Sequence, residues 1–219
     1  MELPSYFVDF LASIRPTKNE KERMIEEHTK LQGLLRKDDS LSPVLVTTFI
    51  QGSYRRHTGL KSAESNPCDV DVVAVTRFDK DEVPPRVALD AFKPFLECHY
   101  KGKYEPQGRS WCINVDSNVK LDLVPTAAPS ESTRLLLETR GVSDWTFDMD
   151  LWTLDEGTQD PLVKAISERR AAEPDWVAEP LDIPDREANY WDQTHPLAQI
   201  AWTADKNKRT NGHYINVVK

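Results

Sequence analysis

Two aspartates one residue apart, at the head of the apolar run Asp69-Val70-Asp71-Val72-Val73-Ala74-Val75, constrain this chain more than any other stretch. The run reads as a β-strand, and in a strand residues two apart project from the same face. Asp69 and Asp71 therefore point together, and adjacent carboxylates repel unless a proton or a cation lies between them. Upstream, the apolar run from Val44 to Ile50 leads into Gln51-Gly52-Ser53-Tyr54-Arg55-Arg56-His57-Thr58. The glycine lets backbone approach a phosphate closely, and exposed N–H groups beside a serine hydroxyl can cradle it. An isolated Asp-x-Asp pair is most often two solvated side chains at a strand edge. The Gly-Ser turn before this one, and a third strand-borne aspartate after it, make it a candidate site.

The third carboxylate is Asp122 in Val119-Lys120-Leu121-Asp122-Leu123-Val124-Pro125. Leu121, Leu123 and Pro125 share one face, and Asp122 shares the other with Lys120 and Val124. The strand-like run from Arg109 to Val115 precedes it across Asp116-Ser117-Asn118, residues that favour a tight hairpin. Three carboxylates can thus converge. An all-oxygen site that also takes phosphate oxygens suits Mg2+ (or Mn2+). Two such ions, about 3.5–4 Å apart, can activate a hydroxyl and stabilise a leaving oxygen. The expected metal ligands and catalytic residues are Asp69, Asp71 and Asp122. Gln51, Gly52, Ser53 and Thr58 are the expected nucleotide-binding turn. Arg55, Arg56 and Lys61 are further cations that could meet a triphosphate.

Gly-Ser, Asp-x-Asp and a later hydrophobic-Asp-hydrophobic-x-Pro strand resemble the DNA polymerase beta-like nucleotidyltransferase superfamily. The fuller string Gln51 to Thr58, with Leu121-Asp122-Leu123-Val124-Pro125, resembles the cGAS/DncV-like nucleotidyltransferases, the bacterial second-messenger synthases of anti-phage defence. Tyr190-Trp191, His195-Pro196, Ile200-Ala201-Trp202 and the stretch from Asn211 to Lys219 agree with the start of that family's helical half. The resemblance implies an α+β fold, a twisted mixed or antiparallel sheet flanked by helices. It implies attack of a hydroxyl on the α-phosphate of a nucleoside triphosphate, release of pyrophosphate, and closure to a cyclic di- or trinucleotide. It also implies that Arg109, a basic residue upstream of the third Asp, meets a nucleotide. ATP is expected among the substrates, with an activating protein and a downstream effector as partners. The other readings are transfer to another acceptor (an antibiotic, a protein or an RNA end), a non-catalytic antitoxin-like nucleotide-binding module, or an interaction-only domain.

Composition narrows the partners. The 219 residues carry a net charge of −8, whereas proteins that grip long nucleic acid are usually basic. Small nucleotides are favoured over long nucleic acid. No uninterrupted apolar segment is long enough to span a membrane, and Met1-Glu2-Leu3-Pro4 does not open a signal peptide. The cytoplasm and no membrane partner are expected. Cys68, Cys98 and Cys112 lack metal-ligand spacing and are odd in number, so neither a disulfide framework nor zinc is expected. The five histidines show no paired ligand spacing either.

Three regions are expected. Residues 1–37 hold N-terminal helices, including a long one from the Thr17-Lys18-Asn19-Glu20 capping box to about Lys37, with Met24, Ile25, His28, Leu31, Leu34 and Leu35 on one stripe. By resemblance that helix packs along the back of the molecule. Residues 38–160 form the nucleotidyltransferase core, and residues 161–219 start a helical lobe. Within the core, a short helix should run from Ser53 to Thr58, residues Gly59 to Pro67 should form a mobile polar loop, and a helix should run from Pro84 to Tyr100. Thr133 to Leu137 and Trp145 to Leu154 read as strands, and Asp160 to Arg170 as a helix. Glu173 to Glu187, with three prolines among acids, reads as a loop. Tyr190 to Trp202 reads as amphipathic helix and Ala204 to Gly212 as polar loop. A chain ending on Val217-Val218-Lys219 at the start of an apolar turn reads as a piece of a longer protein.

Overall fold

The computed structural model describes residues 5–63, 66–139, 179–210 and 213–217. Helix α1 (Ser5–Ile14) precedes α2 (Lys18–Lys37). The capping box forms as expected, with the Thr17 hydroxyl accepting from the Glu20 N–H and the Glu20 carboxylate accepting from the Thr17 N–H. Strand β1 (Leu45–Gln51), helix α3 (Gly52–Arg55) and strand β2 (Cys68–Thr76) follow. Next come α4 (Pro85–Asp90), α5 (Lys93–His99), β3 (Tyr104–Pro106), β4 (Trp111–Asn114) and β5 (Val119–Ala127). Helix α6 (Glu131–Thr139), strands β6 (Leu181–Asp185) and β7 (Tyr190–Thr194), and helices α7 (Pro196–Arg209) and α8 (Tyr214–Val217) complete the described chain.

The strands form one mixed seven-stranded sheet in the order β1-β2-β5-β4-β3, with β6 bridging β5 to β7. Only β2 and β5 are parallel; the other pairs are antiparallel. Alternation sorts the side chains. One face carries Ile50, Val70, Val72, Ala74, Trp111, Ile113, Leu121 and Leu123 against Met24, Leu31 and Leu35 of α2 and Phe92, Phe95 and Leu96. Each fully buried Leu or Phe contributes about 1.5–3 kcal/mol, and this is the main core. The opposite face is divided along its length. At the C-terminal end of β2, Val73 and Val75 pack with Phe49, Leu137 of α6 and Leu181 of β6. At the N-terminal end the same face carries Asp69 and Asp71.

Several expectations change. The helix expected from Pro84 to Tyr100 is two helices, because Pro94 has no N–H to continue the hydrogen-bond ladder past Ala91 and Phe92. Thr133 to Leu137 is helix, not strand. Ser130 caps it, its hydroxyl accepting the Thr133 N–H, and Arg134 pairs with Glu131 and Glu138 along one side. Residues 181–185 form a strand where a loop was expected. Leu181 and Ile183 bury themselves while Pro184 pairs opposite Trp191 in β7, on the outer arm of the sheet where a proline is tolerated.

Tyr190 to Thr194 is likewise strand, and helix starts only at Pro196, since the residue before a proline avoids helical geometry. The helix then runs through the expected polar loop to Arg209, where Lys206, Lys208 and Arg209 favour its C-terminus. Residue 160 is therefore not where the sheet ends, because β6 and β7 belong to it. The strand expected at Trp145 to Leu154 and the helix expected at Asp160 to Arg170 lie outside the described residues, as do Asn211 and Gly212. The three cysteines are free thiols. Among the described residues no helix is long and apolar enough to cross a membrane.

Candidate active site

The parallel pairing of β2 and β5 sets the site. Its register places Asp71 beside Asp122 and Asp69 beside Lys120, and residues paired this way project from one face. Gln51 at the end of β1 stands opposite Asp71, and Cys112 of β4 opposite Asp122. A hairpin holds β5 in place. The Asp116 carboxylate accepts from the N–H groups of Asn118 (2.8 Å) and Val119 (3.0 Å), closing the turn expected there. The β5 register is also fixed to β2 by the Cys68 N–H donating to Asn118 O at 2.7 Å. Strand β4 begins at Trp111, so Arg109 lies in the preceding turn.

Asp69, Asp71 and Asp122 each offer a carboxylate oxygen within 4.8 Å of the other two. Asp122 is buried, and the other two are half-buried. Oδ1 of Asp69 and Oδ1 of Asp122 are enclosed and receive no hydrogen bond. Unpartnered carboxylate oxygens of this kind, clustered on a polar face, fit a hard divalent cation.

Gly52 forms the wall of the site. It has φ +74°, and a Cβ there would lie 1.9 Å from Asp71 Oδ2. Only glycine allows both that backbone geometry and that approach. Helix α3 is a single turn, shorter than expected, and the chain leaves it through a tight loop. The Ser53 carbonyl accepts from the N–H groups of Thr58 (2.9 Å) and Gly59 (3.1 Å), and Arg56 Nε donates to Gly52 O at 3.1 Å.

The described start of the polar loop bonds to the first helices. Lys61 N–H donates to Ile14 O at 2.9 Å, and the Glu20 carboxylate accepts from Ser62 N–H at 2.8 Å. Burial works against the Glu20 charge, but the hydrogen bonds from Ser62 and Thr17 outweigh it and hold the carboxyl down at about 2.

The acids are electrostatically strained. Burial, reinforced by the charges of Asp69 and Asp122, pushes Asp71 up to about 7. Burial, then the Asp69 charge, pushes Asp122 up to about 6. Asp69 is raised by burial and partly relieved by Lys120, whose Nζ is 3.8 Å from Asp69 Oδ2. Such an arrangement gains stability from a cation held among the carboxylates.

The sequence-predicted residues are thus largely together: Gln51, Gly52, Asp69, Asp71 and Asp122 meet at one end of the sheet, with Ser53 in the adjoining turn. Thr58 closes that turn through Ser53 O, and its hydroxyl points to the same carbonyl at 3.4 Å. Arg109 stands apart. Its guanidinium bonds Asp185 and Asp192, each at 2.9 Å, and fastens the turn before β4 to the β6–β7 hairpin. Lys120 was missed as a site residue, although its alternation with Asp122 already placed it on the acidic face.

This sheet, with its strand-borne carboxylates beside a Gly-Ser turn, is the fold of the polymerase-beta-like nucleotidyltransferases. It overlays DncV of Vibrio cholerae in its apo form with a TM-score of 0.59 at 12% identity, covering 95% of this chain and 61% of that one. It overlays CdnC of E. coli MS115-1, solved with ATP, with a TM-score of 0.58 at 15% identity, covering 98% and 55%. At these identities the likeness is one of fold.

Residues 1–146 match the family described as Second Messenger Oligonucleotide or Dinucleotide Synthetase domain, and the chain belongs to that family. A cyclic AMP-AMP-GMP synthase of Enterobacter hormaechei subsp. hoffmannii (strain UCI 50) is 42% identical over 233 residues, which take in 100% of this chain and 60% of that protein. The resemblance to cGAS/DncV-like nucleotidyltransferases is borne out.

Proposed function

We propose that this chain carries the catalytic centre of a cyclic-oligonucleotide synthase, a nucleotidyltransferase using ATP and other nucleoside triphosphates. The observation that carries the reading is the convergence of Asp69, Asp71 and Asp122 within 4.8 Å beside Gly52 and Ser53, with two buried carboxylate oxygens lacking donors. The three aspartates would hold two divalent ions, Mg2+ or Mn2+, which when bound neutralise the triphosphate and polarise the attacking and leaving oxygens. Asp122 would help to take up the proton of the attacking ribose hydroxyl. The ribose oxygen would then bond to the α-phosphorus as the bond from that phosphorus to pyrophosphate breaks. The Ser53 hydroxyl and the backbone around Gly52 would grip the β- and γ-phosphates, with Gln51 shaping the turn, so that positioning supplies most of the rate.

The named activity of the Enterobacter relative supports a cyclic trinucleotide containing adenine as the first product to seek. Such a product is a second messenger, and we place the protein in the cytoplasm, where its substrates are, in anti-phage defence, with an activating protein and an effector that reads the product.

The test is to incubate full-length protein with radiolabelled nucleoside triphosphates and Mg2+, treat with phosphatase, and resolve what remains. A phosphatase-resistant product that disappears in Asp69→Asn/Asp71→Asn is expected. Label transferred to an added antibiotic, protein or RNA end instead would replace the cyclase reading with general nucleotidyl transfer.

A further inference from the structure

Lys120 has no part in the roles assigned above, yet the sheet builds it into the site. The parallel register sets it beside Asp69 as Asp122 is set beside Asp71, and Asn114 stands opposite it on β4. Its Nζ lies 3.8 Å from Asp69 Oδ2, with 25% of the lysine side chain exposed. Oδ1 of Asp69, by contrast, is enclosed and has no donor. One oxygen of this carboxylate thus faces a tethered cation, while the other faces none.

We propose that Lys120 is the resting counter-cation of the site: it offsets the carboxylates before substrate arrives, competes with the divalent ion for Asp69, and passes to the triphosphate once the ion is bound. This rests on the metal-dependent reading above. A divalent ion carries twice the charge and binds carboxylate oxygen at closer range, so it prevails at Asp69. The ammonium then has a better partner in the anionic phosphates arriving at the same face. Lysine suits such an exchange, being a point charge on a flexible stem, whereas arginine would lock onto the carboxylate in a fixed fork. A lysine kept only to pack or to orient Asp69 would raise metal affinity. A competing one must lower it, and this difference of sign separates the two roles.

The experiment titrates Mn2+ into full-length wild-type protein, Lys120→Met, Lys120→Arg and Asp71→Asn, read by electron paramagnetic resonance of the free ion at pH 8.5. The titration is repeated with a non-hydrolysable ATP analogue. Lys120→Met should bind Mn2+ alone about three- to tenfold tighter, as removal of one nearby positive charge requires, and the Mn2+–analogue pair about tenfold more weakly. Lys120→Arg, which keeps the charge, should bind Mn2+ alone no tighter than wild type. If Lys120→Met melts early, Lys120→Gln serves as the second uncharged variant. Equal or weaker Mn2+ binding by the uncharged variants, or unchanged analogue affinity, overturns the proposal. If Asp71→Asn binds Mn2+ as wild type does, the metal reading itself falls, and Lys120 with it.

Discussion

Replacing Gly52 by alanine separates the geometry of the site from ordinary backbone strain, because the chain supplies its own control. Gly52 and Gly102 have nearly the same left-handed backbone, φ +74° and +73°, but a Cβ at Gly102 meets nothing within 4 Å, whereas one at Gly52 lies 1.9 Å from Asp71 Oδ2 and 2.9 Å from its Cγ. The left-handed conformation costs a non-glycine residue about 1–2 kcal/mol. Gly102→Ala should therefore lose about that much stability and keep its activity. Gly52→Ala carries the same cost, plus about 0.5–1.5 kcal/mol for turning Asp71 out of its rotamer. That makes about 1.5–3.5 kcal/mol, a fall in Tm of about 3–14 °C.

The larger effect falls on catalysis. A carboxylate displaced by an ångström or more should cost at least about 100-fold in turnover and weaken Mn2+ binding. Thermal melting of both variants, with turnover and Mn2+ titration beside it, reads all three quantities. If Gly52→Ala keeps wild-type turnover and Mn2+ affinity while losing no more stability than Gly102→Ala, the close approach of Gly52 to Asp71 has no catalytic meaning.

Three further outcomes follow from charge. Asp71, raised to about 7 in the fold against about 3.9 in the unfolded chain, contributes stability that is lost as pH rises through 7. Metal-free Asp71→Asn should therefore melt higher than wild type at pH 8, by about 1–2 kcal/mol, and gain nothing from Mg2+. His28, buried on α2 and held down to about 4 by its burial despite the Gln32 hydrogen bond, stays neutral in the fold while the unfolded chain takes up a proton. Stability should fall by about 2–3 kcal/mol between pH 6.5 and 4, and denaturation curves of His28→Leu should lack that share of the slope. Arg109→Met should cost about 1 kcal/mol through its ion pairs with Asp185 and Asp192, yet leave the KM for nucleotide unchanged; a KM raised tenfold or more would return Arg109 to the nucleotide site.

The acidic site was legible because its signals are local. Alternation put Asp69 with Asp71 and Asp122 with Lys120, and a glycine before a serine marked the close approach. What alternation does not contain is the partner strand. That β2 and β5 lie parallel and in register depends on the intervening helices and the β3–β4 pair, so the meeting of Asp69 with Lys120 became visible only in three dimensions. The errors share a cause as well. Prolines at 180 and 184 and acids around them read as loop, yet Leu181 and Ile183 had apolar surface to cover and drew the segment into the sheet. Thr133 to Leu137 read as strand because a short apolar run fits either period, and the Ser130 cap with the Glu131–Arg134–Glu138 pairs decided for helix.

Anomalous diffraction shows directly whether Asp69, Asp71 and Asp122 form a divalent-ion site serving a nucleoside triphosphate. Crystals of the full-length protein would be soaked with Mn2+ and a non-hydrolysable ATP analogue. Anomalous peaks should appear among the three carboxylates, with the phosphates of the analogue against Gly52 and Ser53. Analogue bound with no manganese at these aspartates, or manganese elsewhere on the chain, would contradict that assignment.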